Sequence, residues 1–151
     1  MQEPYMIMGA GFRNTRSEGQ ITGYQVLVRI PYYRGVYVSA LYDISLAVDG
    51  GAVPRESIRL VVNGKSATLD EAQEDRETRW YYGDPAALVV SRAGGLAPGL
   101  HSVKVGMAMR KSYLPPTDPN HLYQLFPSPD GNYHPFVEAP TVTERRMTLV
   151  Y

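Results

Sequence analysis

Hydrophobic and polar residues alternate with a period of two along most of this chain. Tyr24, Val26, Val28 and Ile30 share one face, with Gln25 and Arg29 on the other. Tyr42, Ile44, Leu46 and Val48 alternate with Asp43, Ser45, Ala47 and Asp49, and Ile58, Leu60 and Val62 flank Arg59 in the same way. His101, Val103, Val105, Met107 and Met109 run opposite Ser102, Lys104, Gly106 and Ala108, while Met147 to Tyr151 is β-prone on both faces. Such alternation places one strand face on a core and the other in water, which predicts antiparallel sheets.

The turn residues agree. Asn63-Gly64 follows Val62 directly, and this dipeptide favours a tight hairpin because both central residues take positive φ. Asp49-Gly50-Gly51 closes another strand, and Gly94-Gly95 with Pro98-Gly99 precede the strand over 100–109. The predicted class is all-β, an antiparallel β-sandwich of jelly-roll or immunoglobulin-like form. Thr68-Leu69-Asp70-Glu71 has capping-box spacing and predicts one or two helical turns over Glu71 to Glu77. No repeat or linker interrupts the pattern, so residues 1–151 are expected to form one domain. Prolines crowd residues 115–140, with Tyr123, Phe126, Tyr133 and Phe136 among them. Proline withholds ladder donors, so a long proline- and aromatic-rich loop is expected there.

Composition narrows the function classes. Among 151 residues, 15 Lys and Arg balance 15 Asp and Glu, so no net field draws the chain to nucleic acid or an anionic membrane. Cysteine is absent, which excludes a disulfide scaffold. Neither a signal-peptide pattern at Met1–Tyr5 nor an apolar membrane span is present, and the expectation is a soluble, cytoplasmic protein.

Candidate chemistry is sparse. His101 lies in phase with a buried face and reads as a structural histidine. His121 and His134 lie in the proline-rich loop near Asp118, Asp130 and Glu138, without the close spacing that fixes metal ligands on one rigid element. Gly9-Ala10-Gly11 reads as a bulge or turn, and Glu71, Glu74, Asp75 and Glu77, with Arg76 and Arg79 in the same short helical stretch, as a solvated face. No G-x-S-x-G elbow is present, so no catalytic residue and no metal ligand are assigned. The most unusual run is Ile30-Pro31-Tyr32-Tyr33-Arg34-Gly35. Tyr and Arg are enriched at interface anchors, so Tyr32, Tyr33 and Arg34 are candidates to face a partner or substrate. A surface turn covering the sandwich end is the other reading.

The ordered set of motifs resembles the β subunits of bacterial C-glycoside deglycosidases. The residues that carry the likeness include Gly11-Phe12-Arg13-Asn14, Gly23-Tyr24-Gln25-Val26 and Arg29-Ile30-Pro31-Tyr32-Tyr33-Arg34-Gly35. They continue through Arg79-Trp80-Tyr81-Tyr82-Gly83, Gly94 to His101 and Ser112-Tyr113-Leu114-Pro115. The resemblance implies a β-sandwich subunit bound to a larger, sugar-isomerase-like barrel α subunit that holds a divalent metal, manganese. It implies cleavage of the C–C bond between sugar and aglycone in 3-oxo-C-glycosides, with Tyr113 joining Tyr32, Tyr33 and Arg34 as partner- or substrate-facing. A carbohydrate-binding, lectin-like module using the same tyrosines is the alternative, and a structural or adhesion-type sandwich a third.

Overall fold

The computed structural model describes residues 6–30, 35–81, 83–109 and 141–150. The proline-rich stretch expected over 115–140 lies outside them. The strands are β1 (Arg13–Ser17), β2 (Gln20–Val28), β3 (Val36–Tyr37), β4 (Leu41–Val48), β5 (Gly51–Ala52) and β6 (Ile58–Val62). After β7 (Lys65–Thr68) comes a short helix, α1 (Leu69–Gln73), then β8 (Arg79–Trp80), β9 (Ala86–Ser91), β10 (Gly99–Met109) and β11 (Thr141–Leu149). They form a five-stranded sheet ordered β1-β2-β9-β6-β7, a four-stranded sheet ordered β11-β10-β4-β5, and a two-stranded ribbon, β3-β8. Every pairing is antiparallel among the described residues, as the alternation predicts. The described residues include no helix long and apolar enough to cross a membrane.

The inward faces of both larger sheets enter one buried cluster. Tyr24, Val26, Leu60, Leu88 and Val90 come from the first sheet, and Ile44, Leu46, Val103, Val105 and Leu149 from the second. Each large apolar side chain so buried is worth roughly 1.5–3 kcal/mol, so the shared core is the main stabilising term. β2 and β9 approach so closely that a Cβ at Gly23 would collide with the Val90 carbonyl oxygen. Three hairpins turn through Glu18-Gly19, Asp49-Gly50 and Asn63-Gly64, each with φ positive at both central residues.

Some expectations shift in detail. Strand β2 ends at Val28, and Ile30 is buried beyond it. Gly106 and Ala108, expected in water, are buried, and Gly106 lies against Ser45 Oγ and Val142 Cγ2. Helix α1 starts two residues earlier than expected and stops at Gln73. Thr68 caps it, with Glu71 N–H donating to Thr68 Oγ1 at 3.1 Å and Thr68 N–H donating to Glu71 Oε1 at 2.8 Å. Beyond Gln73, Asp75 accepts from the N–H groups of Glu77 (3.0 Å) and Thr78 (2.9 Å), turning the chain toward β8. Burial of Asp75 works against its charge, but the Thr78 and Glu77 hydrogen bonds and Lys65 hold its carboxyl well below the usual range.

The connection from β9 to β10 crosses between the sheets. Arg92 and Gly94 N–H donate to the Thr22 and Ile21 carbonyls, and buried Asn14 pairs with both polar groups of Leu96. Asn14 Nδ2 donates to Leu96 O at 3.0 Å, and Asn14 Oδ1 accepts from Leu96 N–H at 2.9 Å. Asn14→Ala strands two buried backbone groups, and a loss of about 2–3 kcal/mol is expected in chemical denaturation. A loss below about 0.5 kcal/mol would show instead that the connection relaxes or hydrates freely.

Candidate functional site

Tyr32, Tyr33, Arg34 and Tyr113 lie outside the described residues, but the ribbon that follows Arg34 and Gly35 is described. In it Val36 faces Trp80 and Tyr37 faces Arg79. The period of two turns Val36 and Trp80 into the core and leaves Tyr37, Arg79 and Tyr81 outside. Trp80 is 1% exposed, whereas Tyr37 and Tyr81 are 45% and 49% exposed.

Several bonds fix the ribbon. Trp80 Nε1–H donates to Asp84 O at 3.0 Å, and Asn63 Nδ2, from the β6–β7 hairpin, donates to Arg79 O at 3.2 Å. Val38 N–H donates to Thr78 O at 2.9 Å and Ser39 N–H to Asp75 O at 2.8 Å, continuing the pairing past β3 and β8. On the outer face the Arg79 guanidinium carbon lies 4.8 Å from the centroid of the Tyr37 ring and 5.9 Å from that of Tyr81. Both distances fall within cation–π range. No carboxylate among the described residues pairs with Arg79.

The sequence groups Arg79 with the acidic residues of the expected helical stretch, whereas the helix ends at Gln73 and Arg79 lies on β8; Tyr37 has no role assigned from sequence. Two-residue strands carry no periodic signal, so nothing in the order of residues brings Tyr37 to Arg79.

Two clefts open nearby. One of about 350 Å³ is lined by Leu27, Val61, Asn63, Trp80, Pro85 and Ala87, on the outer face of the five-stranded sheet. The other, about 730 Å³, runs beside α1 past Lys65, Asp70, Glu71, Glu74 and Asp75. Three of its carboxylates have structural partners. Glu71 serves the capping box, Asp70 pairs with Arg55 at 2.9 Å, and Asp75 with Lys65 at 3.2 Å. Glu71, Glu74 and Glu77 form the solvated acidic face that the sequence predicts, whereas the Asp75 side chain is only 7% exposed and serves the turn.

His101, 11% exposed, bridges two elements. Its Nδ1 meets Asp49 Oδ2 at 2.6 Å and its Nε2 meets Ala97 O at 2.6 Å. Both facing atoms are acceptors, an arrangement that favours the doubly protonated ring. The Ala97 carbonyl and the Asp49 carboxylate raise its pKa. Asp49, bonded by His101 and by Ser102 N–H, is lowered in turn. Both nitrogens are engaged by structural partners, and the structural reading of His101 holds. Among the described residues no three His, Cys, Asp or Glu side chains gather where one ion could be held. His121 and His134 lie outside the described residues. Gly9-Ala10-Gly11 forms a turn, with Gly11 at φ +80°, between the Ile7–Val28 bridge and β1.

Comparison with known proteins places these features in one group. A family model described as C-glycoside deglycosidase beta subunit matches residues 2–113, which include the ribbon, Asn14 and His101. A C-glycoside deglycosidase beta subunit of Eubacterium cellulosolvens is 36% identical over 98% of this chain and 99% of its own length. A C-glycoside deglycosidase beta subunit of Microbacterium trichothecenolyticum is 33% identical over 65% of this chain and 74% of its own. A 3'-dehydrocarminate deglycosidase beta subunit from a Microbacterium species is 34% identical over 58% and 66%.

The His101–Asp49 pair should make stability pH-dependent. A raised histidine pKa contributes stability that is fully present below the ordinary value of 6.5 and is lost as pH rises through the folded value. A lowered Asp49 contributes above its ordinary 3.8 and loses that as pH falls through its folded value. The melting-temperature gap between the native chain and His101→Gln should therefore be widest between those ordinary values and close at alkaline pH. A gap that stays constant from acid to alkali would mean that the ring is neutral.

Proposed function

Because this chain belongs to the family of C-glycoside deglycosidase β subunits, we propose that it is the small subunit of a heteromeric lyase complex acting on 3-oxo-C-glycosides in the cytoplasm. The near-full-length similarity to the Eubacterium cellulosolvens β subunit carries the reading. Its partner is a larger, sugar-isomerase-like barrel subunit, which contains the reacting centre.

The chemistry favours this division. A C-glycoside has no exocyclic oxygen for an acid to protonate, so the paired-carboxylate route of ordinary glycosidases fails. A ketone at C3 acidifies the C2 proton, which a base can remove. The C1=C2 double bond then forms as the bond from C1 to the aglycone carbon breaks, and that carbon takes up a proton. A divalent ion in the partner, manganese, supplies Lewis-acid polarisation of the ketone. This chain's part is to complete the cavity and hold its walls, with Tyr32, Tyr33, Arg34 and Tyr113 facing the partner or the bound glycoside. His101, with both nitrogens committed to Asp49 and Ala97, serves as a structural cation rather than as the base.

Reconstitution tests the assignment. Mixed with the barrel subunit, the chain should co-elute on size exclusion and give cleavage of a 3-oxo-C-glycoside that it does not give alone. Elemental analysis of the separated subunits should find the divalent ion with the larger one. Cleavage by this chain alone, or sugar binding without assembly, would overturn the proposal, and the second result would identify a lectin-like module.

A further inference from the structure

A subunit must present a surface to its partner, and the exposed apolar side chains show where to look. Among the described residues the large ones are Tyr37, Tyr81, Leu100, Val142 and Val150. Leu100 pairs with Thr148 on β11, while Val142 pairs with Gly106. Those two stations are six residues apart along β10, roughly 20 Å, so Leu100 and Val142 do not form one patch. Tyr37 and Tyr81 instead meet over a single side chain, Arg79.

That arrangement gathers three side chains suited to an interface anchor. Two tyrosine rings stand about half exposed, and the guanidinium between them has no carboxylate partner among the described residues. The planar fork of an arginine matches a carboxylate with two parallel hydrogen bonds. Tyr and Arg are also the residue types that dominate binding hot spots, whereas Leu and Val are under-represented there. Neither cleft described above is lined by Tyr37, Arg79 or Tyr81, so the group is not a wall of either one.

We infer that the Tyr37–Arg79–Tyr81 face of the ribbon is an anchor for the larger subunit, taking a carboxylate side chain of that subunit against Arg79 and apolar surface against the two rings. The inference rests on the β-subunit reading. It adds the surface and the chemistry of the complementary patch, with charge complementarity choosing the occupant.

Calorimetric titration of the barrel subunit with this chain and with Tyr37→Ala, Arg79→Gln and Arg79→Glu, at low and high salt, tests it. Tyr37→Ala and Arg79→Glu should weaken assembly about thirtyfold. The melting temperatures of the isolated Arg79 variants should match that of the native chain, because Arg79 is exposed. Arg79→Gln should also flatten the salt dependence of affinity, which a purely structural role would not change. Arg79→Gln leaves the backbone pairing intact and so reports on the surface even if Tyr37→Ala lowers the melting temperature. Native affinity and native salt dependence in the Arg79 variants would overturn the inference. Intact assembly with reduced turnover would also overturn it, and would assign the face to the substrate. Failure of the native chain itself to bind the barrel subunit would refute the β-subunit reading, a result separable from either.

Discussion

The two larger sheets can share a core only if the chain passes from one to the other without leaving buried backbone groups unpaired. The connection from β9 to β10 meets that constraint with side chains from both sheets. Asn14, on β1, satisfies both polar groups of Leu96, and His101, on β10, reaches the Ala97 carbonyl one residue later. Asp49 extends the same clamp. It sits at positive φ in the β4–β5 turn, donates its N–H to Ser102 O at 2.8 Å, and accepts from Ser102 N–H through Oδ1 at 2.9 Å. β10 lies between β4 and β11, so the clamp at its start sets the register of the second sheet. Each of these contacts joins residues 53 or 82 apart in sequence, apart from the local bond to Ala97.

The strands with one wet face were legible from alternation, and β2, β4, β6 and β10 lie where it places them, within a few residues at their ends. β9 was not, for a physical reason. It is the central strand of the five-stranded sheet, and Ala86 to Val90 is apolar on both faces, so no period of two survives. β1 escaped notice from the opposite cause, being a polar edge strand of five residues. Gly106 and Ala108 were misplaced because small residues read as solvent-facing when their neighbours' volume is unknown. Ser45 and Val142, from the two flanking strands, close over Gly106.

The chemistry was legible mainly as composition. The separate roles of Asp49 and His101, or of Tyr37 and Arg79, cannot be read from spacing, because folding alone brings each pair together. A histidine in phase with a buried face does imply a satisfied ring, and the two acceptors around His101 supply that satisfaction. The family motif Arg79-Trp80-Tyr81 was visible as a string, but its division into a core side and an outer side appears only once Val36 is seen opposite Trp80.

That division explains how a ribbon of two-residue strands can serve as an anchor. Binding normally loses free energy to side-chain ordering, up to about 1.5 kcal/mol for each rotamer-rich group immobilised. Here the ordering precedes contact. Trp80 fixes β8 from beneath through burial and its bond to Asp84, and Asn63 holds the Arg79 carbonyl. The two rings then lie within cation–π range of the guanidinium and restrict it. An arginine so held gives up less freedom to a carboxylate than one on an exposed loop, so the core residue Trp80 contributes to recognition without touching the partner.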